Sequence, residues 1–174
     1  MNKETLSTLK LRAVAMAIEP EKQRDKSTIL ELIEFALASE KYGIETQYVR
    51  EIYPLKDFTP LPGVPSYILG IINVRGQIIP LVDLKKFFNF PAKGIGELNK
   101  VIIIQDERIE FGILADEIIG TKAIFTEDIL PVPQTVSGIG EKYMKGVTKD
   151  HLILMDLETM LSDKNLVVNE EVIP

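Results

Sequence analysis

The segment Asp83-Leu84-Lys85-Lys86-Phe87-Phe88 returns later in the chain as Asp156-Leu157-Glu158-Thr159-Met160-Leu161. Each copy follows a β-rich run without a break, Ile78 to Val82 in the first case and His151 to Met155 in the second. A carboxylate at that junction can accept from free amides at a helix start, so both places read as a strand passing into one short helical turn. Asn89 and Pro91 stop the first turn, and Ser162-Asp163 follows the second. The doubling extends backwards. Leu30 to Leu37, a turn at Ser39 to Lys41 and then Tyr42-Gly43-Ile44 are echoed by Val101 to Gln105, a turn at Asp106 to Arg108 and then Phe111-Gly112-Ile113. An ungapped match also sets Asn73-Val74 against Gly146-Val147. Repeated anchors at similar separations predict one small fold built twice, from short strands divided by turn residues. The expectation is a mainly β chain of two similar β-barrels, with halves meeting near residues 90–100.

Composition limits what such a chain can do. At 174 residues it suits one domain, or two small ones sharing a core, and should bury about 70% of its unfolded surface. With 45% hydrophobic and 26% charged residues it is ordinary globular material. It has no cysteine, which excludes disulfides, thiolate metal sites and cysteine nucleophiles. A net charge of -6 and a pI near 5.0 oppose the basic footprint of nucleic-acid binders.

Lys10 and Arg12 interrupt the apolar residues at the N-terminus, so it does not read as a signal peptide, and a cytoplasmic location is expected. Leu6, Leu9, Ala13 and Met16 recur at helical spacing, which predicts an amphipathic helix over Lys3 to Ile18, ended by Glu19-Pro20. Glu21 to Lys26 reads as a charged linker. The expected division is thus a helical extension and linker over 1–26, the duplicated domain over 27–168, and a tail over 169–174.

Tyr67 to Leu84 is rich in Ile, Leu, Val and Tyr, but Asn73, Arg75, Gly76, Gln77 and Pro80 break it. A membrane-spanning helix needs about 20 mostly apolar residues, so no direct insertion is expected. A hairpin fits. Leu69 to Val74 and Gln77 to Val82 form its arms, Gly76 supplies a positive φ, and Arg75 stands at the tip in water. Pro80 has no amide donor, which suggests an edge strand. Pro60, Pro62 and Pro65 make a stiff connector ahead of the hairpin, and Pro131 and Pro133 precede Ser137-Gly138-Ile139-Gly140.

Residues suited to catalysis are few. His151 is the only histidine, is matched with Ile78 and so falls in a strand, and has no second histidine to complete a metal set. Capping accounts for Asp83 and Asp156 more simply than acid–base catalysis. Gly94-Ile95-Gly96 and Gly138-Ile139-Gly140 lack the further residues of a dinucleotide or phosphate loop and read as turns. Asp106-Glu107, Asp116-Glu117 and Glu170-Glu171 read as solvated charges. No catalytic residue, metal or cofactor is expected, which favours a binding protein.

The hairpin Gly70-Ile71-Ile72-Asn73-Val74-Arg75-Gly76-Gln77-Ile78-Ile79-Pro80-Leu81-Val82-Asp83-Leu84 resembles the signature of the CheW family of chemotaxis coupling proteins. The resemblance continues through Tyr42-Gly43-Ile44, Val49-Arg50-Glu51-Ile52, Phe111 to Asp116 and Gly146 to Leu161, and covers about Ser27 to Leu166. It implies two five-stranded, SH3-like β-barrels and a non-catalytic scaffold. It also implies two partners, the cytoplasmic tips of methyl-accepting chemoreceptors and the regulatory domain of the histidine kinase CheA, with recruitment to membrane-associated arrays.

By resemblance the receptor tip lies in a groove between the barrels, beside the turn Asn73-Val74-Arg75-Gly76, with Val49, Glu51, Gly70 and Val101 near the same groove. Arg75 would pair with Glu51. That pair could shape the groove, or the guanidinium could reach receptor carboxylates or backbone carbonyls. The kinase contact points to Ile44, Thr46 and neighbouring strand edges. The leading helix lies outside the signature, and Glu117 follows Asp116 where the family commonly has glycine. An adaptor in a pathway other than motility, a barrel with another partner, and a module binding only its own copy are the alternatives. A single-strand nucleic-acid barrel would interleave basic and aromatic residues, and this chain has no tryptophan and is acidic.

Overall fold

The computed structural model describes residues 28–90, 99–133 and 139–166. The predicted helix over Lys3 to Ile18, the linker after it, Gly94-Ile95-Gly96, Gly138 and the 169–174 tail lie outside the described residues. The mainly β expectation holds, as two five-stranded sheets. The first contains β1 (Ile29–Leu37), β2 (Glu40–Glu45), β8 (Glu117–Phe125), β9 (Met144–Val147) and β10 (Leu152–Met155), in the order β8-β1-β2-β10-β9. The second contains β3 (Val49–Pro54), β4 (Ile68–Val74), β5 (Gln77–Val82), β6 (Lys100–Gln105) and β7 (Glu110–Ala115), in the order β3-β6-β7-β5-β4.

The two sheets share one plan. Each joins two antiparallel hairpins through a central parallel pair, β2 with β10 in the first sheet and β7 with β5 in the second. The repeated order of elements in the chain is kept, but each sheet takes strands from both repeats. The second sheet is the continuous run β3 to β7, whereas the first is built from the strands on either side of it. The reason lies in the connections. Only the 3-10 turn Thr46–Tyr48 separates β2 from β3, and only Asp116 separates β7 from β8, so the chain passes straight from one sheet into the other. Parallel pairs cannot be closed by a tight turn, and here the intervening strands provide the crossover.

The hydrogen bonds refine the repeat. Thr59 bridges Ile71 on β4, and Leu130 bridges Val147 on β9. Gly70 lies opposite Leu81, and Gly146 opposite Leu154. The structural counterpart of Gly146-Val147 is therefore Gly70-Ile71, not Asn73-Val74, because the second hairpin is shorter and never extends to a tip like that of Arg75. His151 is corrected by the same shortening. It sits exposed in the turn before β10, at a φ of 66°, rather than within a strand.

Two short helices follow the repeated Asp residues. In α1 (Leu84–Phe87), the Asp83 carboxylate accepts from the Lys85 amide at 2.9 Å. In α2 (Leu157–Ser162), the Asp156 carboxylate accepts from the Thr159 amide at 3.0 Å and the Thr159 hydroxyl at 2.8 Å. Each cap is also tied back to a tyrosine, since the Asp83 and Asp156 amides donate to the Tyr67 and Tyr143 carbonyls, both at 2.8 Å. Tyr143 is buried and its hydroxyl donates to Asp163, which also accepts from Lys142 at 2.9 Å and the Asn165 amide at 2.7 Å. Burial pushes the Asp163 carboxyl up, but these donors outweigh it and hold it below the usual carboxylate range.

The core shows why the apolar run of β6 does not alternate. Ile102 and Ile104 enter the larger cluster, with Phe35, Ile44, Phe87 and Tyr143, while Val101 and Ile103 enter a second cluster with Ile72, Val74, Ile79, Leu81 and Leu114. Successive side chains of a strand point to opposite faces, and here both faces are covered. Full burial of each such side chain stabilises the fold by about 1.5–3 kcal/mol.

Two further expectations change. Pro80 belongs to an inner strand, but the β5–β7 pairing begins only at Leu81, so the missing amide deprives no ladder partner. Asp116 is no solvated charge. Its carboxylate accepts from the Lys85 ammonium at 2.6 Å and from the Ala38 amide at 2.8 Å, and Lys85 is almost wholly buried. One aspartate thus fastens α1 to the β1–β2 turn. Residues 28–30 and 123–129 belong to a small unit of their own, in which the Thr126 amide donates to the Thr28 carbonyl at 2.9 Å.

Candidate protein-interaction site

The β4–β5 hairpin turns through Arg75 and Gly76, at φ 51° and 85°. Two positive φ values define the tight turn whose twist matches that of its strands, and glycine meets the requirement at no cost. An arginine there costs about 1–2 kcal/mol of backbone strain. The Asn73 side-chain oxygen offsets part of this by accepting from the Gly76 amide at 2.8 Å. The result is a guanidinium held at the point of the hairpin with 67% of its side chain exposed.

Arg75 ion-pairs with Glu51 of β3. β3 and β4 are opposite edges of their sheet, so the pair requires the sheet to curl. A register shift between Val49 and Glu51 breaks the alternation of β3 at Arg50. Such a bulge lets two consecutive side chains serve one region. Arg50 stands 3.4 Å from Glu51, 2.6 Å from Glu110 and 2.7 Å from the Gln77 side-chain oxygen, and Gln77 donates to Glu110 at 2.7 Å. The hydrogen bond to Glu110 is the main influence on Arg50, and it raises the guanidinium pKa against a smaller opposing effect of desolvation.

The structure brings Asn73, Arg75, Gly76 and Glu51 together at the surface, with Val49 partly exposed at the foot of β3. Val74 and Val101 are fully buried in one cluster beneath them. Gly70 lies at the far end of β4, buried against Thr59 and Pro60. Ile44 is fully buried on the inner strand β2, so its side chain offers nothing to a partner, whereas Thr46 is half-buried in the turn that follows. Arg50, Gln77 and Glu110 join the site without having been singled out. Ile78, beside the tip, is also exposed.

Among the described residues no group of three His, Cys, Asp or Glu side chains could hold a metal ion, and no helix is long and apolar enough to cross a membrane.

Known proteins share this chain's sequence pattern and fold. The family model described as the CheW-like domain matches residues 31–165. The chain is 34% identical over 166 residues to the chemotaxis protein CheW of Treponema pallidum, covering 91% of this chain and 94% of that one. It is 29% identical over 145 residues to the CheW of Klebsiella aerogenes, covering 82% and 87%. The crystal structure of the scaffolding protein TtCheW from Thermoanaerobacter tengcongensis matches with a TM-score of 0.70 at 31% identity, over 80% of this chain and 92% of that one. The long hairpin with its arginine tip, the doubled five-stranded plan and these matches lead to one conclusion: the chain belongs to the CheW-like family.

Proposed function

We propose that this protein is a non-catalytic chemotaxis adaptor that couples the cytoplasmic tips of chemoreceptors to the histidine kinase CheA, working in the cytoplasm at membrane-associated receptor arrays. The observation that carries the receptor half of this reading is Arg75, held in a strained turn at an exposed tip of the CheW-type hairpin. An exposed ion pair stabilises a fold by only about 0–1 kcal/mol, too little to account for the strain, so recognition is the better use of the guanidinium. Glu51 has Arg50 as a second cation 3.4 Å away. Arg75 can therefore exchange Glu51 for a receptor carboxylate without leaving Glu51 alone. Asn73, Gly76, Glu51 and Val49 would form the rest of the receptor surface, over a floor containing Val74 and Val101, with Gly70 bracing the hairpin from its far end. The kinase contact is assigned to the strand edges near Thr46, with Ile44 supporting them from within the core.

The test mixes the purified protein with the regulatory domain of CheA and with a receptor-tip fragment from the same organism, and measures each association by calorimetry. Binding to both is expected, with Arg75→Glu weakening mainly the receptor fragment. No binding to any kinase or receptor of that organism would overturn the assignment.

A further inference from the structure

A cavity of about 350 Å³ opens on the first sheet, away from the arginine hairpin. Phe90, Val132, Met144, Val147 and Ile153 make its wall apolar, and its volume lies at the small end of the range for ligand pockets, roughly 300–1,000 Å³. Tyr42 also lines it. The tyrosine is buried, with 1% of its surface exposed, and its ring stacks on Phe35 with centroids 6.0 Å apart. Among the described residues its hydroxyl has no hydrogen-bond partner, in contrast to Tyr67 and Tyr143, whose hydroxyls are both engaged. Buried polar groups are nearly always satisfied, and an orphaned one costs about 1–3 kcal/mol. A mostly apolar wall with a few polar side chains, here Tyr42 with Glu40 and His151, is the arrangement of a ligand site, where polar groups set orientation and the rest supplies burial.

The polar groups around the cavity narrow the ligand class. Burial, and then the charge of nearby Glu40, push the Tyr42 phenol up to about 12, so it stays protonated and serves as a donor. Its partner must be an acceptor. Glu40 is exposed and also lines the cavity, which disfavours an anionic ligand by like-charge repulsion. Exposed His151 lines it too, and its backbone amide donates a hydrogen bond to the Thr148 carbonyl at 3.0 Å. We infer that this cavity binds a small, uncharged, mostly apolar molecule through a carbonyl oxygen that accepts from the Tyr42 hydroxyl.

Acetophenone and α-methylstyrene serve as probes, since they have nearly the same shape and only the first has an acceptor. Titrations of the full chain would be followed by amide chemical shifts. The expected result is saturable shifts centred on Tyr42, Gly146 and Ile153, with acetophenone bound about tenfold more tightly than α-methylstyrene, the scale of one hydrogen bond. Tyr42→Phe should erase that preference while leaving α-methylstyrene binding in place, and Val147→Phe should abolish both by filling the space. Equal affinity of the unaltered protein for the two probes would overturn the inference, as would shifts located elsewhere or no binding at all. Those outcomes decide the matter even if Tyr42→Phe fails to fold.

Discussion

Replacing Gly70 by alanine tests how the hairpin is braced. Gly70 has a φ of 153°, in a region that side chains rarely adopt, and an added Cβ would meet the Thr59 carbonyl oxygen head-on. It would also lie 2.7 Å from the Thr59 carbonyl carbon and 2.9 Å from the Pro60 Cα. These are backbone atoms, so no rotamer change relieves the clash. The segment around Thr59 must move, and it is held by a reciprocal pair of hydrogen bonds between Thr59 and Ile71, both 2.9 Å. Strain at the alanine costs about 1–3 kcal/mol, and the two bonds about 1 kcal/mol each. Because displacing the segment relieves part of the strain, the expected loss is about 2–4 kcal/mol, a large share of a typical stability of about 5–15 kcal/mol. Urea unfolding followed by circular dichroism would show a lower midpoint with an unchanged slope. A loss below about 1 kcal/mol would refute the reasoning, because the segment would then not be fixed against the glycine.

Other expectations follow from particular contacts. A Cβ on Gly112 would lie 2.5 Å from Val101 Cγ1, so Gly112→Ala should destabilise by about 1–3 kcal/mol, and Val101→Ala should relieve it; a double-mutant unfolding cycle without coupling would contradict that contact. Asp116→Ala leaves the buried Lys85 ammonium without its carboxylate and should cost about 3–5 kcal/mol, mostly recovered when Lys85→Met is added, as read by denaturant melts. Tyr143→Phe removes a buried donor from Asp163 and should cost about 1–3 kcal/mol at neutral pH. The Asp163 pKa is depressed on folding, so its stabilisation is complete above the unfolded carboxylate value and is lost as pH falls through the lower folded one. Tyr143→Phe should therefore raise the pH of acid unfolding, and an unchanged acid midpoint would count against the Asp163 network.

Local rules made part of the fold readable in the sequence. The aspartate caps, the arms of the Arg75 hairpin and the doubling of elements each follow from residues close together in the chain. The exchange of strands between the sheets was not readable, because the pairings β2 with β10 and β5 with β7 depend on how distant hairpins meet, and an apolar strand fits either face. The same limit hid Asp116, which looks like half of a solvated Asp-Glu pair until the fold brings Lys85 and the Ala38 amide to it. At the site, Arg75 and Glu51 came from a family pattern. Arg50, Gln77 and Glu110 leave no local signal, since a bulge in one strand and the curl of a sheet bring them into the network. Ile44, in turn, shows that a β-rich residue near an expected contact can belong wholly to the core.

The role of Arg75 is best measured as the affinity of a receptor-tip fragment for Arg75→Glu and for the swapped pair Arg75→Glu with Glu51→Arg, each checked for an unchanged unfolding midpoint. The swap restores an ion pair between the hairpin and β3 but leaves a carboxylate at the tip. If a receptor carboxylate pairs with the guanidinium at the tip, both variants stay folded and both lose receptor binding. Recovery of binding in the swapped pair would contradict that pairing, and would show that the ion pair serves only to shape the hairpin.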